Sequence, residues 1–144
     1  MGMRFRVATY NIRKAVGRDF RRRPDRILAV LEEIGASIVA LQEADRRFGD
    51  RRAALPPDAL ADAGWHVVPV APHVGGIGWL GNSILLAPSV TLQAARRIVL
   101  PGLEPRGAVL AEIRLGESRL TVLAAHLGLT PGPRRRQIAR IAVK

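Results

Sequence analysis

The sequence predicts an α/β or α+β layer fold, in which helices cover sheets. Its first apolar runs follow the order strand, helix, strand, and its later runs are strand-like with no helical segment between them. The chain has 144 residues, of which 48% are hydrophobic and 24% are charged. This length and composition are typical of one globular domain with a buried core.

The N-terminal segments predict two parallel strands joined by a helix. Residues 3–10 suit a strand by their alternating pattern, and Ser37 to Gln42 form a continuous apolar and β-branched run. Between them, Pro24 suits the first position of a helix and Gly35 suits the residue that ends it. A strand–helix–strand unit of this kind favours parallel pairing with a right-handed connection.

The rest of the chain predicts a short helix, several strands and a final helix. Pro56 and Pro57 separate a loop from a short helix that ends at Gly64, and the glycines of residues 71–81 predict a flexible loop. Because no helices separate the later strands, we expect them to be antiparallel neighbours. The predicted strands are residues 65–70, 82–87, 92–99, 106–115 and 119–126, and the predicted helix is residues 134–143.

Composition excludes several kinds of site and leaves the partner open. The chain has no cysteine, which excludes disulfides, zinc–thiolate sites and cysteine nucleophiles. No apolar run has the length of a signal peptide or a membrane span, so we expect a cytoplasmic protein. The net charge of +11 suits nucleic acid or another phosphate-bearing partner. However, all but two of the 23 basic residues are arginines, which equally indicates the bias of a GC-rich genome.

Polar side chains stand at the ends of the predicted strands. Asn11, Glu43 and His126 each follow an apolar run, whereas Asn82 and Arg106 each begin one. A carboxylate at a strand end suits Mg²⁺ or Mn²⁺, and Asn11 would lie one strand away if the strands pair in parallel. A histidine there suits donation to a phosphate oxygen or acid–base chemistry, and an arginine suits a phosphate contact. The alternatives are a surface glutamate, a turn-forming asparagine and a solvent-facing arginine.

Other candidate motifs carry no chemistry. His66 and His73 do not have the spacing of a metal site, and we expect both to be structural. Gly75 to Gly78 lacks the spacing of a dinucleotide or Walker motif, so it is interpreted as a mobile loop beside the site.

Five short motifs stand in a distinctive order. They are Thr-Tyr-Asn-Ile-Arg (9–13), Val-Ala-Leu-Gln-Glu (39–43), Gly-Asn-Ser-Ile-Leu-Leu (81–86), Pro-Arg-Gly-Ala-Val-Leu (105–110) and Ala-His-Leu-Gly-Leu (125–129). Together they resemble the motifs of the endonuclease/exonuclease/phosphatase superfamily, the deoxyribonuclease I-like group, over essentially the whole chain. The resemblance implies a four-layer α/β/β/α sandwich, and hydrolysis of phosphodiesters or phosphomonoesters with Mg²⁺ or Mn²⁺.

The same resemblance implies roles for the polar residues. Glu43 would ligate the metal, and Asn11 would support the metal or the phosphate. His126 would contact the scissile phosphate, with Asn82 and Arg106 as supporting groups. A metal and a histidine suit this reaction because negative charge develops on the phosphoryl oxygens.

Two motifs of the superfamily are missing from the sequence. One is Gly-Asp-x-Asn, which positions the nucleophile and the leaving group, and the other is Ser-Asp-His, whose histidine activates water. No aspartate follows Asp62 and no histidine follows His126. We therefore expect residues 1–144 to form a single, C-terminally truncated domain that is a poor catalyst by itself.

Three functional hypotheses stay open at this point. The first is an active phosphoesterase of which residues 1–144 are only a part, acting on DNA, RNA, a phospholipid or a small phosphate ester. The second is a non-catalytic remnant that binds metal or a polyanion. The third is a half-domain whose open sheet edges are covered in a homo-oligomer.

Overall fold

The computed structural model describes residues 3–46, 52–102, 106–128 and 131–142. Pro105 and Leu129 of the motifs, and Val143 of the predicted last helix, lie outside these ranges. The described residues form the following strands and helices: β1 (Val7–Asn11), α1 (Pro24–Ile34), β2 (Ile38–Gln42), α2 (Pro57–Asp62), β3 (His66–Val67), β4 (Ser83–Leu86), β5 (Val90–Leu100), β6 (Arg106–Leu115), β7 (Ser118–Ala125) and α3 (Pro131–Ala142).

The first sheet is mixed and has the strand order β1-β2-β4-β3. β1 and β2 pair in parallel, with Asn11 opposite Gln42, as the strand–helix–strand pattern predicted. Between them, α1 begins at Pro24 and ends at Gly35, which adopts a φ of 62° and donates to the Leu31 carbonyl at 3.2 Å. Glycine suits this left-handed position because it has no Cβ to clash.

The second sheet has the strand order β5-β6-β7 and is antiparallel throughout, as predicted. The expectation that β4 is an antiparallel neighbour of β5 is wrong, because β4 lies in the first sheet between β2 and β3. Both edges of β4 are therefore occupied. The chain leaves that sheet at a tight turn, in which Val90 N–H donates to the Ala87 carbonyl at 3.0 Å.

The predicted strand over residues 65–70 is shorter in the structure, where β3 contains only His66 and Val67. Val68 N–H still donates to the Ile84 carbonyl at 2.9 Å, but Pro69 has no N–H to continue the ladder. In contrast, α3 begins at Pro131, before the predicted start at residue 134. Proline is tolerated there because the first turn of a helix does not use its N–H groups internally.

The elements form four layers, which confirms the predicted α/β/β/α arrangement. The outer face of the first sheet packs against the first two helices through Leu31, Val39, Leu60 and Leu85. The two sheets pack face to face through Ile38, Ile84, Val109 and Ile113. The outer face of the second sheet packs against the last helix through Ile98, Leu100, Leu110 and Ile141.

These layers place the carboxyl ends of β1 and β2 beside the end of β7, because β2 and β7 are in contact between the sheets. None of the helices in the described ranges is long and apolar enough to cross a membrane. The cytoplasmic location stays a prediction.

Candidate functional site

The parallel pairing of β1 and β2 brings the first two predicted site residues together. Asn11 ends β1 and Glu43 directly follows β2, and the Asn11 Nδ2 donates to Glu43 Oε1 at 3.2 Å. The second carboxylate oxygen, Oε2, accepts a hydrogen bond from Lys14 Nζ at 2.6 Å. Each oxygen of Glu43 therefore has a defined donor, and the carboxylate is held in one orientation.

The backbone of Glu43 adopts a left-handed conformation, with a φ of 53°. A residue other than glycine costs on the order of 1 kcal/mol or more in this region. Hydrogen bonds on either side hold it there. Lys14 N–H donates to the Glu43 carbonyl at 2.9 Å, and Ala44 N–H donates to the Gly81 carbonyl at 2.9 Å. Gly81 N–H in turn donates to Asp45 Oδ2 at 3.1 Å. The loop that contains Gly81 therefore fixes the strand end.

A second left-handed segment follows β1, where Arg13, Lys14 and Ala15 have φ values of 50°, 56° and 63°. Arg13 N–H donates to Asn11 Oδ1 at 3.0 Å, and Ala15 N–H donates to the Ile12 carbonyl at 2.9 Å. This turn directs the Lys14 ammonium back to Glu43. Lys14 was missed in the sequence, where its only signal was its position directly after the Thr-Tyr-Asn-Ile-Arg motif.

The Glu43 carboxylate is ionised at neutral pH. Burial alone would raise its pKa, but the hydrogen bonds from Lys14 and Asn11 outweigh burial and hold the pKa below its ordinary value. The charge of His126 also lowers the pKa of Glu43. This effect is consistent with the fold, because Glu43 follows β2 and His126 follows β7, and these two strands are in contact.

His126 directly follows β7 and is half-buried. Burial lowers its pKa, and the positive charges of Arg106 and Lys14 lower it further, against the opposing effect of Glu43. The imidazole is therefore neutral at neutral pH, with one ring N–H to donate and one nitrogen to accept. A neutral imidazole and an ionised carboxylate at neighbouring strand ends suit acid–base or phosphate chemistry.

The structure places Arg106 against the backbone of His126. Arg106 Nη1 donates to the His126 carbonyl at 3.4 Å, so this arginine supports the strand end that carries the imidazole. Asn82 is buried, and its Nδ2 donates to the Gly107 carbonyl at 2.8 Å. Asn82 Oδ1 has no hydrogen-bond partner among the described residues. In this arrangement Asn82 links the Gly81 loop of one sheet to the other sheet.

The last helix fixes the chain just after His126. Gln137 is buried, accepts a hydrogen bond from Gly128 N–H at 2.7 Å and donates to the Pro101 carbonyl at 2.9 Å. Arg134 Nε donates to the Gly128 carbonyl at 3.1 Å. This positioning by α3 was missed in the sequence, because a glutamine in a basic helix gives no sign of the face that is buried.

The interpretation of Gly75 to Gly78 as a mobile loop is only partly consistent with the packing. Val74 and Gly75 are exposed, but Ile77 is buried and its carbonyl accepts a hydrogen bond from Ser83 Oγ at 2.6 Å. A Cβ added to Gly78 would lie only 2.3 Å from the Asn82 carbonyl oxygen. The second half of the loop is therefore packed against the site. His66 is exposed on β3, and His73 Nε2 is buried in this loop.

The donor set suits a hard divalent cation held by few protein ligands. Across the described residues, no three His, Cys, Asp or Glu side chains come together as a metal cluster. Mg²⁺ is commonly held by one or two carboxylates, with water and substrate phosphates completing the shell. Glu43, with Asn11 beside it, fits that pattern, whereas structural zinc would need four protein ligands.

A shallow cleft with a volume of about 210 Å³ lies beside Asn11, between the left-handed turn and α1. Its arginines include two that are held in ion pairs, Arg23 with Asp25 at 2.6 Å and Arg26 with Asp19 at 3.0 Å. The hydrogen bonds from these arginines hold the pKa values of Asp19 and Asp25 below their ordinary range, against a smaller opposing effect of desolvation. The cleft gives the site a positively charged border.

Comparison with known proteins identifies the family. The model of the Endonuclease/Exonuclease/phosphatase family matches residues 8–143. No curated protein sequence matches the chain.

Solved structures share the fold. An endonuclease/exonuclease/phosphatase from Beutenbergia cavernae is 23% identical with a TM-score of 0.66, and the match covers 94% of this chain and 42% of that one. Truncated Caenorhabditis elegans TDP2 is 18% identical with a TM-score of 0.69, over 95% of this chain and 52% of that one. D. rerio TDP2 complexed with single-strand DNA product is 16% identical with a TM-score of 0.64, over 94% of this chain and 50% of that one.

The chain spans about half the length of these solved structures. The family model covers nearly all of it, and the two-sheet sandwich has the fold of the solved structures. The chain therefore belongs to the endonuclease/exonuclease/phosphatase family.

Proposed function

We propose that the site is the cation- and phosphate-binding part of a phosphoesterase that uses Mg²⁺ or Mn²⁺ to hydrolyse a phosphodiester or a phosphomonoester. The observation that carries the proposal is the pairing of ionised Glu43 with Asn11 at the ends of two parallel strands, with His126 at the end of β7, the strand that contacts β2 from the other sheet. Membership of the family supports the reaction class.

Different residues of the site would bind the cation and the phosphate. Glu43 would hold the cation, and Asn11 would fix the carboxylate and support the cation or the phosphate. When bound, a divalent cation neutralises charge that develops on phosphoryl oxygens. His126 would donate its ring N–H to a phosphate oxygen, while Arg106 holds the His126 carbonyl in place. Asn82 would keep the Gly81 loop, and with it the end of β2, in position.

We further propose that residues 1–144 bind a cation and a phosphate ester but turn the ester over slowly. The Gly-Asp-x-Asn and Ser-Asp-His motifs, which the family uses to position the nucleophile and to activate water, are missing from the sequence. General base action alone is worth roughly 10²–10⁴-fold in rate. A protein without these groups would therefore bind substrate far better than it hydrolyses it.

Hydrolysis of a fluorescent oligodeoxynucleotide and of a simple phosphomonoester, with and without Mg²⁺, tests the proposal. We expect binding that requires the cation and slow hydrolysis that is lost in Glu43→Gln and in His126→Gln. The matched control is Glu33→Gln, an exposed carboxylate on α1. Binding and hydrolysis that are indifferent to both the cation and Glu43 would contradict the proposal.

Nucleic acid is the substrate class that we favour. The net charge is +11, the cleft beside Asn11 is lined by arginines, and the D. rerio TDP2 structure holds a single-strand DNA product. Each phosphate contact contributes about 0.7 to the slope of log K against log salt for single strands. Replacing Arg13 and Arg18 with glutamine should reduce this slope by about 1.4. The single variant Arg119→Gln, at the far end of β7, should change it little.

A half-domain completed by oligomerisation is a second candidate, because both sheets have an edge strand on the same side. β1 and β7 end the two sheets, and the cleft between them, about 280 Å³, is lined by Val7, Ala40 and Val122. The Val7 side chain is 55% exposed. Exposed edges invite strand pairing. Sedimentation would give a dimer if this candidate holds and a monomer at all concentrations if it does not.

A further inference from the structure

Lys14 makes the shortest polar contact to the candidate metal ligand. Its Nζ lies 2.6 Å from Glu43 Oε2, and the two side chains are 33% and 27% exposed. An ion pair between exposed residues usually contributes little to stability, since water and salt screen it. Stabilisation of the fold alone therefore does not explain the contact between Lys14 and Glu43.

The backbone around Lys14 is built to make this contact. Arg13, Lys14 and Ala15 all adopt positive φ, although none of them is glycine. Non-glycine residues in this region cost on the order of 1 kcal/mol or more each, and such conformations are concentrated at functional sites. Lys14 N–H also donates to the Glu43 carbonyl at 2.9 Å, so both the main chain and the side chain of this lysine are bound to Glu43.

We propose that Lys14 is a further functional residue of the site, which holds Glu43 until a divalent cation is bound and then donates to a phosphate oxygen of the substrate. This proposal rests on the proposed function, since it takes Glu43 as the cation ligand. The ammonium carries one positive charge and stands at the oxygen that a cation would approach. The Lys14 ammonium must therefore leave Oε2 before the cation can bind there. A phosphate oxygen of the substrate would then be its new hydrogen-bond acceptor.

Physical chemistry supports this exchange of partners. Lysine carries a compact charge on a flexible stem with rotatable donors, and it commonly binds phosphate as a point charge. The Lys14 side chain is 33% exposed, so its flexible stem can turn towards solvent or a bound anion. Arg106 binds the backbone of His126. The positive charge of Lys14, on the turn after β1, would therefore contact the phosphate directly.

Two titrations of the protein test the exchange. Mn²⁺ is titrated first and followed by electron paramagnetic resonance, and inorganic phosphate is then titrated at saturating Mn²⁺. Lys14→Met should bind Mn²⁺ about ten-fold more tightly, because a positive charge next to the divalent ion is gone. It should bind phosphate several-fold more weakly, because the donor is gone.

Two further variants control for charge and folding. Lys14→Arg keeps the positive charge and should follow the wild type in the Mn²⁺ titration. Arg119→Met removes a positive charge from the exposed far end of β7 and should change neither affinity. Circular dichroism of Lys14→Met establishes that the variant is folded. If that variant unfolds, Lys14→Gln is titrated in its place with the same expected results.

The outcomes separate this inference from the proposed function. Unchanged Mn²⁺ affinity in Lys14→Met, or absence of Mn²⁺ binding altogether, would overturn the inference. Tighter Mn²⁺ binding with unchanged phosphate binding would overturn the exchange and leave Lys14 as a counter-ion only. If both affinities change as expected but no phosphate ester is hydrolysed, the proposed function fails and the inference stands. If hydrolysis depends on the cation but both affinities are unchanged in Lys14→Met, the proposed function stands and the inference fails.

Discussion

The side chains of Asn11 and Glu43 meet at the carboxyl ends of two parallel strands, where Asn11 Nδ2 donates to Glu43 Oε1 at 3.2 Å. The register that places Asn11 opposite Gln42 brings the two side chains to the same strand ends, since Glu43 is the next residue along. The amide also accepts the Arg13 N–H through Oδ1 at 3.0 Å. Asn11 thus connects the turn that carries Lys14 to the carboxylate that Lys14 binds.

Removing this amide should loosen the carboxylate. In Asn11→Ala, one of the two hydrogen bonds to Glu43 is lost, so the pKa of Glu43 should rise towards its ordinary value of 4.5. Mn²⁺ affinity should fall several-fold because the carboxylate is less well oriented. NMR titration of the Glu43 carboxyl carbon measures the first effect. Gln93→Ala, on exposed β5, is the control, and identical titration curves in both variants would refute the assigned role of Asn11.

The pH dependence of stability should carry the signature of His126. Burial and Arg106 hold the folded-state pKa of His126 below its ordinary value of 6.5. The unfolded chain therefore binds this proton more readily than the folded protein does. The free energy of unfolding should fall as the pH decreases from 6.5 towards the lowered pKa, and be recovered fully above 6.5. Glu43 does not contribute to the pH dependence of stability near pH 6.5, because its pKa lies below 4.5.

Urea unfolding at a series of pH values between 5 and 8 measures this effect. His126→Asn removes the titrating group, so its stability should depend less steeply on pH below 6.5 than that of the wild type. Parallel profiles for the two proteins would show that burial of His126 is not linked to folding.

Gln137 should contribute more to stability than the exposed residues of α3, because its side chain is buried. Gln137→Ala removes both hydrogen bonds of a buried side chain and leaves the Gly128 N–H and the Pro101 carbonyl without them. We expect a loss of roughly 1–3 kcal/mol in the free energy of unfolding. The control is Arg135→Ala in the same helix, which is exposed and should change stability by less than about 0.5 kcal/mol. Equal losses in the two variants would contradict the clamping role of Gln137.

The sequence predicts the parts of the site that depend on strand order. Asn11 and Glu43 follow apolar runs flanking a helix, and parallel pairing then brings them to one edge. Lys14 could not be predicted in the same way. Its direction depends on three consecutive left-handed residues without glycine, and these are stabilised by hydrogen bonds to Glu43 and Ile12 that exist only in the folded chain.

The fold was predictable to a similar extent. The helix between Pro24 and Gly35 has both its signals in the local sequence, and the structure confirms them. The assignment of β4 to the first sheet has no local signal, because an antiparallel strand can pair with either sheet. That choice depends on burial of β4 between β2 and β3, which is a property of the whole domain.

Direct measurement of Mn²⁺ binding tests most simply whether Glu43 holds a divalent cation. Electron paramagnetic resonance of Mn²⁺ titrated into the wild type should show saturable binding to one site. Glu43→Gln should abolish it, because the carboxylate that follows β2 loses its charge, whereas Glu33→Gln should bind as the wild type does. Equal Mn²⁺ binding in Glu43→Gln and the wild type, or no binding in the wild type, would show that Glu43 is not a cation ligand.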